Sequence, residues 1–375
     1  MKKLFLFFVA AALIAAFSVP AVAGDAEWNF YGSARMATFR LDASKELAGV
    51  HTPADDDQDT QWALQGNSRI GARVSNGDVG GRFEYGTGIN LRLLYGTWNF
   101  GGGTLLVGQS YVPVNIFISN QVFGSDTDML NTGGVYDGRR PMIQVAFGGF
   151  KVALVSPSTA GAAGLITGTP ATVANIGGVV TPVPAVPAAI VGGEVDTTLP
   201  KIELAYTFKT DMFKVGVVGG YNSYEIEGDA KTYDVDSWVA GLWGAVNFGP
   251  AYVKANIYKA QNTGSYGLFM AGDDDFDFVG NKIKDVDTLG YLAVVGAKLG
   301  DAFAVEGGYG NVSHDHDVIG SKDDDTSAYY VQATIGLAPG VFIVPEIGKI
   351  DYDKDTANAD EGDLLYFGAK WQINF

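Results

Sequence analysis

Arg35, Arg69, Arg73, Arg82, Arg92 and Arg140 are the residues whose type and spacing suggest chemistry, and that chemistry is electrostatic. Each falls on the polar side of a segment in which polar and apolar residues alternate. Alternation of period two marks a strand with one wet and one apolar face. Guanidinium groups gathered on one wet face repel one another unless anions or carboxylates compensate. Covalent chemistry has no comparable support. The chain has no cysteine and three histidines, all in expected loops, and it contains neither a GxSxG elbow nor an HExxH helix. Asp351, Asp353 and Asp355 imitate the start of a calcium loop, but Thr356 replaces its glycine and Gly362 its bidentate glutamate. His314 and His316, two apart, lack a third metal ligand at recognised spacing. No catalytic residue, cofactor or resident metal is expected. The acidic clusters at Asp273–Asp275 with Asp277, and at Asp323–Asp325, read as solvated loop charge. Divalent cations bridging such carboxylates to lipid phosphates are the functional alternative.

The elements that must carry these side chains are strands. From the C-terminus backwards, Phe375, Ile373, Trp371, Ala369, Phe367 and Leu365 are apolar, and the residues between them are mostly polar or small. Lys2 and Lys3 precede an uncharged apolar run from Leu4 to Phe17, and Ala21-Val22-Ala23 supplies small residues for cleavage. Residues 1–23 are therefore expected to be a secretory signal peptide, too short to span a bilayer as a helix. An exported chain ending on an aromatic residue resembles bacterial outer-membrane barrels, whose assembly machinery reads a terminal Phe. That resemblance makes Phe375, Ile373 and Trp371 the expected assembly signal.

Alternation and turn residues place sixteen strands between residues 24 and 375. They run at about Glu27–Leu41, Gln61–Ser75, Val79–Gly86, Ile89–Phe100, Thr104–Ser110, Arg139–Phe147, Phe150–Ser156 and Lys201–Phe208. The remainder are Met212–Tyr224, Val235–Phe248, Ala251–Ala260, Asp287–Leu299, Ala302–Val312, Ser327–Ala338, Val341–Tyr352 and Leu364–Phe375. Asn76-Gly77-Asp78, Gly148-Gly149, Gly249-Pro250 and Pro339-Gly340 are among the tight turns on one side. Longer loops occupy the other. The expected fold is an all-β, antiparallel, up-and-down transmembrane barrel of sixteen strands. No repeat of propeller length is present. Residues 158–199 form a low-complexity outer loop, whose prolines at 170, 182, 184 and 187 oppose further spanning strands. The formal net charge of −17 argues against nucleic-acid binding.

Residues Asn67–Ser156 resemble the general diffusion porins of Gram-negative bacteria. The likeness is carried by Ser68-Arg69-Ile70-Gly71, Arg92-Leu93-Leu94-Tyr95-Gly96, the run Gly103–Gln109, and the Arg-rich segment ending in Phe147-Gly148-Gly149-Phe150. Tyr31-Gly32-Ser33-Ala34 and Phe375 extend it to both ends. The resemblance implies that residues 111–138 fold into the barrel as a constriction loop, with Asp126 and Asp128 facing the wall arginines. Arg69, Arg92 and Arg140 match the family's wall best. Gln109 stands where many relatives carry a further arginine. The very short connection Tyr85–Gly88 removes the loop with which relatives reach a neighbouring subunit, so a homotrimer is a family expectation only.

The function implied is a water-filled outer-membrane channel through which ions and small hydrophilic solutes diffuse passively. Outer-membrane lipid, lipopolysaccharide and the barrel-assembly machinery are the implied partners. A solute-selective channel and a structural or adhesive surface barrel are the alternatives. Acidic mouth loops set against lumenal arginines predict a mild cation preference that fades as salt rises.

Overall fold

The computed structural model describes residues 26–49, 57–162, 174–176, 179–181, 194–228, 231–272 and 275–375. The expected signal peptide and most of the 158–199 loop lie outside these residues. Sixteen antiparallel strands close into a barrel. They are β1 Glu27–Ala43, β2 in two segments (Asp57–Leu64 and Arg69–Asn76), β3 Val79–Gly86, β4 Leu91–Asn99 and β5 Thr104–Tyr111. After a long inward loop come β6 Arg139–Phe147, β7 Phe150–Val155, and β8 in two segments, Glu194–Asp196 and Lys201–Lys209. The second half holds β9 Phe213–Glu227, β10 Thr232–Phe248, β11 Ala251–Gln261 and β12 Val286–Lys298. It ends with β13 Phe303–His316, β14 Asp324–Ala338, β15 Val341–Asp351 and β16 Asp363–Asn374. Each strand pairs with its sequence neighbour, and β1 closes the circle on β16 from Ser33↔Asn374 to Ala43↔Leu364.

The alternation has its physical cause in two solvents. On β16, Phe367, Trp371 and Ile373 are about half exposed on the outer surface, while Tyr366, Lys370 and Gln372 are buried inside. Every strand must offer apolar groups to lipid and polar groups to the lumen. Rings gather beside the short turns: Trp98 and Phe100 lie 5.7 Å apart, Phe147 and Phe150 5.7 Å, and Phe208 and Phe213 6.0 Å. These pairs form a girdle suited to a membrane interface. At the closing seam the Gly32 N–H donates to the Phe375 carbonyl at 2.6 Å. A Cβ at Gly32 would run into the Phe375 ring, so glycine lets that ring lie over the seam.

The structure departs from the sequence expectations in two ways. The second strand is interrupted after Leu64, because Gln65 turns inward and its Nε2 donates to the Val122 carbonyl at 3.0 Å. Ser68 covers the break by bonding both the N–H and the carbonyl of Arg35. Several strands also run past the expected ends, which moves His314 and His316 from a loop onto β13 and Asp324 and Asp325 onto β14. Buried His314 donates from Nε2 to the Ala271 carbonyl (2.8 Å) and accepts at Nδ1 from Thr288 (2.9 Å). His316 pairs through Nδ1 with Asp277 at 2.8 Å. Among the described residues no three His, Asp or Glu side chains could hold a metal.

The main apolar core lies inside the barrel, under the inward loop. Val114, Ile116, Ile118, Met129 and Val135 of that loop pack on Val218, Val239, Tyr258, Leu292, Val294 and Tyr330 of the inner wall. Wall and loop thus remove apolar surface from water together. Gly310 of β13 permits the approach, since a Cβ there would strike the Thr132 carbonyl oxygen.

Candidate functional site

The loop between β5 and β6 crosses the barrel interior, pinned by carboxylates from three strands. Glu203 of β8 accepts from the Val114 N–H at 2.8 Å. Glu306 of β13 accepts from the N–H and Nδ2 of Asn120 at 2.7 and 2.6 Å. Glu346 of β15 accepts from the N–H groups of Val122 and Phe123 at 2.7 and 3.0 Å. Backbone donors that cannot reach strand partners are thereby satisfied, as burial requires. Beyond Phe123 the chain turns sharply: Gly124, Ser125, Asp126, Asp128 and Met129 all have φ between 56° and 66°. Non-glycine residues enter this left-handed region at a cost of about 1–2 kcal/mol each, so the tip is held by its contacts.

Those contacts converge on Asp126. Arg35 of β1 forms an ion pair with Oδ2, Lys370 of β16 reaches Oδ1 at 3.0 Å, and the Asn67 amide donates to Oδ2 at 2.7 Å. Asp126 is therefore a latch with its charge matched. Asp128 has no ion-pair partner among the described residues. Burial, and next the charge of Asp126, push its carboxyl well above the ordinary carboxylate range.

Between the loop tip and the opposite wall lies a cavity of about 230 Å³. Arg35, Arg69, Arg92 and Arg139 line it on the wall side, with Asp126 and Asp128 on the loop side. Glu84 of β3, which is fully buried, holds the wall together. Its Oε1 accepts from Arg92 Nε at 2.8 Å, and its Oε2 accepts from Arg82 Nη2 and the Tyr31 hydroxyl, each at 2.8 Å. Arg69 stands off Glu84 at 3.7 Å. Arg73 and Arg82 do not line this cavity. Both lie over the Tyr31 ring, 5.4 and 5.1 Å from its centroid, and border a separate recess near the turns.

Arg140 also departs from expectation. Its Nε donates to Asp137 at 2.6 Å and its Nη2 to the Gly267 carbonyl at 2.8 Å, which ties down the base of the loop. Its neighbour Arg139 enters the cavity instead, with Nη1 on the Tyr111 hydroxyl at 3.1 Å. A buried Lys201 joins Asp137 at 2.5 Å to complete that base. Sequence reasoning missed Glu84, Arg139 and Lys370, and the loop-holding glutamates. The available signal was parity, since Glu84 stands two residues from Arg82 and must share its wet face.

The sequence profile of the Gram-negative porin family matches residues 10–355. No curated protein sequence matches the chain. Among solved structures, the outer membrane channel DcaP of Acinetobacter baumannii is similar, with a TM-score of 0.67 and 15% identity over 94% of this chain and 99% of that one. An in-vitro folded OmpT of Vibrio cholerae in trimer form has a TM-score of 0.55 and 15% identity, covering 94% and 100%. An anion-selective porin from Comamonas acidovorans has a TM-score of 0.55 and 13% identity, also covering 94% and 100%. At these identities the structural likenesses establish the fold.

Proposed function

The chain belongs to the Gram-negative porin family and is an outer-membrane channel for passive diffusion, and from that premise we propose that ions and small hydrophilic solutes cross it through the arginine-lined constriction with a mild preference for anions. One observation carries the sign. Arg139 faces the cavity with no ion pair among the described residues and Arg69 shares Glu84, at 3.7 Å, with two other arginines, whereas Asp126 is consumed by Arg35 and Lys370. The acidic total of the chain points the other way, and the difference is decided by distance. At 0.1 M salt the Debye length is about 10 Å, so charges at the narrowest point outweigh those in outer loops. Fixed guanidinium groups in a confined lumen raise the local anion concentration, as charged rings do in other pores. The anion-selective Comamonas porin shares the fold and offers a precedent for that sign.

Residues 111–138 act as the constriction loop in this reading, and the wall is Arg35, Arg69, Arg92 and Arg139. Lipid and lipopolysaccharide surround the apolar belt, and the barrel-assembly machinery recognises Phe375, Ile373 and Trp371. A homotrimer is the proposed assembly. The related fold of OmpT has a trimer form, and the short β3–β4 connection means that packed outer faces would have to do the latching.

Two variants test the electrostatics through opposite signs. Arg69→Gln with Arg139→Gln should move the reversal potential in a KCl gradient toward cations, and Asp128→Asn should move it toward anions at a pH high enough to ionise Asp128. Wild-type selectivity in both variants would remove the constriction from the account.

A further inference from the structure

Aromatic rings share the cavity with the arginines: Tyr111 of β5, Phe117 and Tyr136 of the inward loop, and Phe269 of the loop joining β11 to β12. Phe117 lies 5.4 Å from Tyr111 and 5.9 Å from Tyr136, and Tyr136 lies 6.5 Å from Phe269, centroid to centroid. The strip is built into the backbone. The Phe269 N–H donates to the Tyr136 carbonyl at 2.9 Å, and the Ala271 N–H donates to Asn131 at 2.9 Å, so the second loop pairs along the first. Alternation along the inward loop buries Ile116 and Ile118 against the wall and turns Phe117 the other way. Phe117 and Phe269 consequently remain 50% and 49% exposed while lining a cavity that arginines also line. Covering that surface with an apolar group is favourable.

Tyr111 joins the two chemistries. Its hydroxyl accepts from Arg139 Nη1 at 3.1 Å and from Arg92 Nη2 at 3.4 Å. The Arg139 guanidinium also lies over the Tyr111 ring, 5.3 Å from its centroid. Stacking orients the guanidinium, and such a group binds carboxylates through paired N–H donors. Because no ion pair among the described residues includes Arg139, an incoming carboxylate displaces no protein carboxylate there.

We propose that the constriction is a transient binding site for small aromatic monocarboxylates, an inference that rests on the channel reading above. The carboxylate meets Arg139 and Arg69, and the ring lies against Phe117, Tyr136 and Phe269, which favour edge and offset contacts with another ring. The volume of about 230 Å³ is below the ~300–1,000 Å³ of pockets for drug-sized ligands. The site is therefore sized for one ring with a short substituent. A site of this kind slows a solute briefly without closing the route to others.

The probe is benzoate, compared with acetate, benzyl alcohol and cyclohexanecarboxylate, on the full barrel in planar bilayers carrying KCl current. Benzoate should interrupt the current with dwell times at least tenfold longer than those of acetate or benzyl alcohol, and longer than those of cyclohexanecarboxylate. Phe117→Leu with Phe269→Leu, and separately Arg139→Gln, should each shorten the benzoate dwell. Equilibrium dialysis of labelled benzoate against folded wild-type protein in detergent should show one saturable site per chain. Equal dwells for benzoate and acetate, or no saturable binding, would overturn the site. Chloride preference in KCl alone, together with either failure, would leave the channel reading standing. A non-conducting barrel that still binds benzoate saturably would support the site and cost the channel reading its basis.

Discussion

Glu84 decides whether the arginine wall can exist. Its fully buried carboxylate pairs with Arg82 and Arg92 and lies 3.7 Å from Arg69. Removing one partner of a buried ion pair typically costs about 3–5 kcal/mol because the remaining charges are left uncompensated. Glu84→Gln should therefore lower barrel stability by about that amount in urea titrations, and it should strengthen anion preference. Unchanged stability together with unchanged selectivity would show that solvent already screens these groups. Asp128 links the field of the lumen to pH. Burial, and next the charge of Asp126, raise its carboxyl well above the ordinary range, and the charges of Lys370, Glu306 and Arg35 also act on it. Between the unfolded and folded values the native chain holds a proton that the unfolded chain has lost. The favourable contribution of this group is thus complete at low pH and disappears as pH rises through the folded value. The lumen gains a negative charge over the same rise. Anion preference should accordingly strengthen on acidification, in a window above that of ordinary carboxylates, and Asp128→Asn should flatten this dependence. A pH profile identical in wild type and variant would assign the titration elsewhere.

The inward loop is the element proposed to make the channel selective, and its position depends on wall glutamates. Each acceptor among Glu203, Glu306 and Glu346 satisfies a loop N–H that has no strand partner. Leaving a buried donor unpaired costs about 1–3 kcal/mol. Glu306→Ala with Glu346→Ala should free the middle of the loop while the barrel remains folded. Single-channel conductance should rise and its noise should increase. Wild-type conductance would mean that the apolar anchors Val114, Ile116 and Ile118 suffice alone. The strands themselves were legible in the sequence because lipid outside and water inside impose one period on every strand. Residues such as Phe367, Trp371 and Ile373 announce their face without knowledge of their neighbours. The break in β2 was not legible, because it depends on Gln65 meeting Val122, far along the chain. The exchange of Arg140 for Arg139 has the same origin. Both sit where β6 begins, and the loop base at Asp137 decides which one turns into the lumen. The candidate wall was thus readable from parity, but the counter-charges that set its field emerge only when the loop is folded in.

For the molecule as a whole, barrel closure is the condition for every local feature. The apolar belt and the β1–β16 seam have to form before the lumen excludes lipid. Replacing Trp371 and Phe375 by Ser removes two outward apolar side chains from the last strand and its end. It should sharply reduce heat-modifiable barrel in the outer membrane and send the chain to periplasmic degradation. Wild-type abundance would count against the proposed assembly signal. At this scale the formal charge is −17, yet the proposed constriction is lined by four arginines and, of its two aspartates, only Asp128 is without an ion pair among the described residues. These two facts predict opposite selectivities, and only one can govern permeation. The most direct measurement is the reversal potential of the wild-type barrel in a planar bilayer of neutral lipid, under a tenfold KCl gradient near 0.1 M. The account predicts a sign that reports modest chloride preference, weakening as salt is raised. A sign reporting potassium preference would mean that the acidic mouth loops rule the pore and that the arginine wall does not set its selectivity.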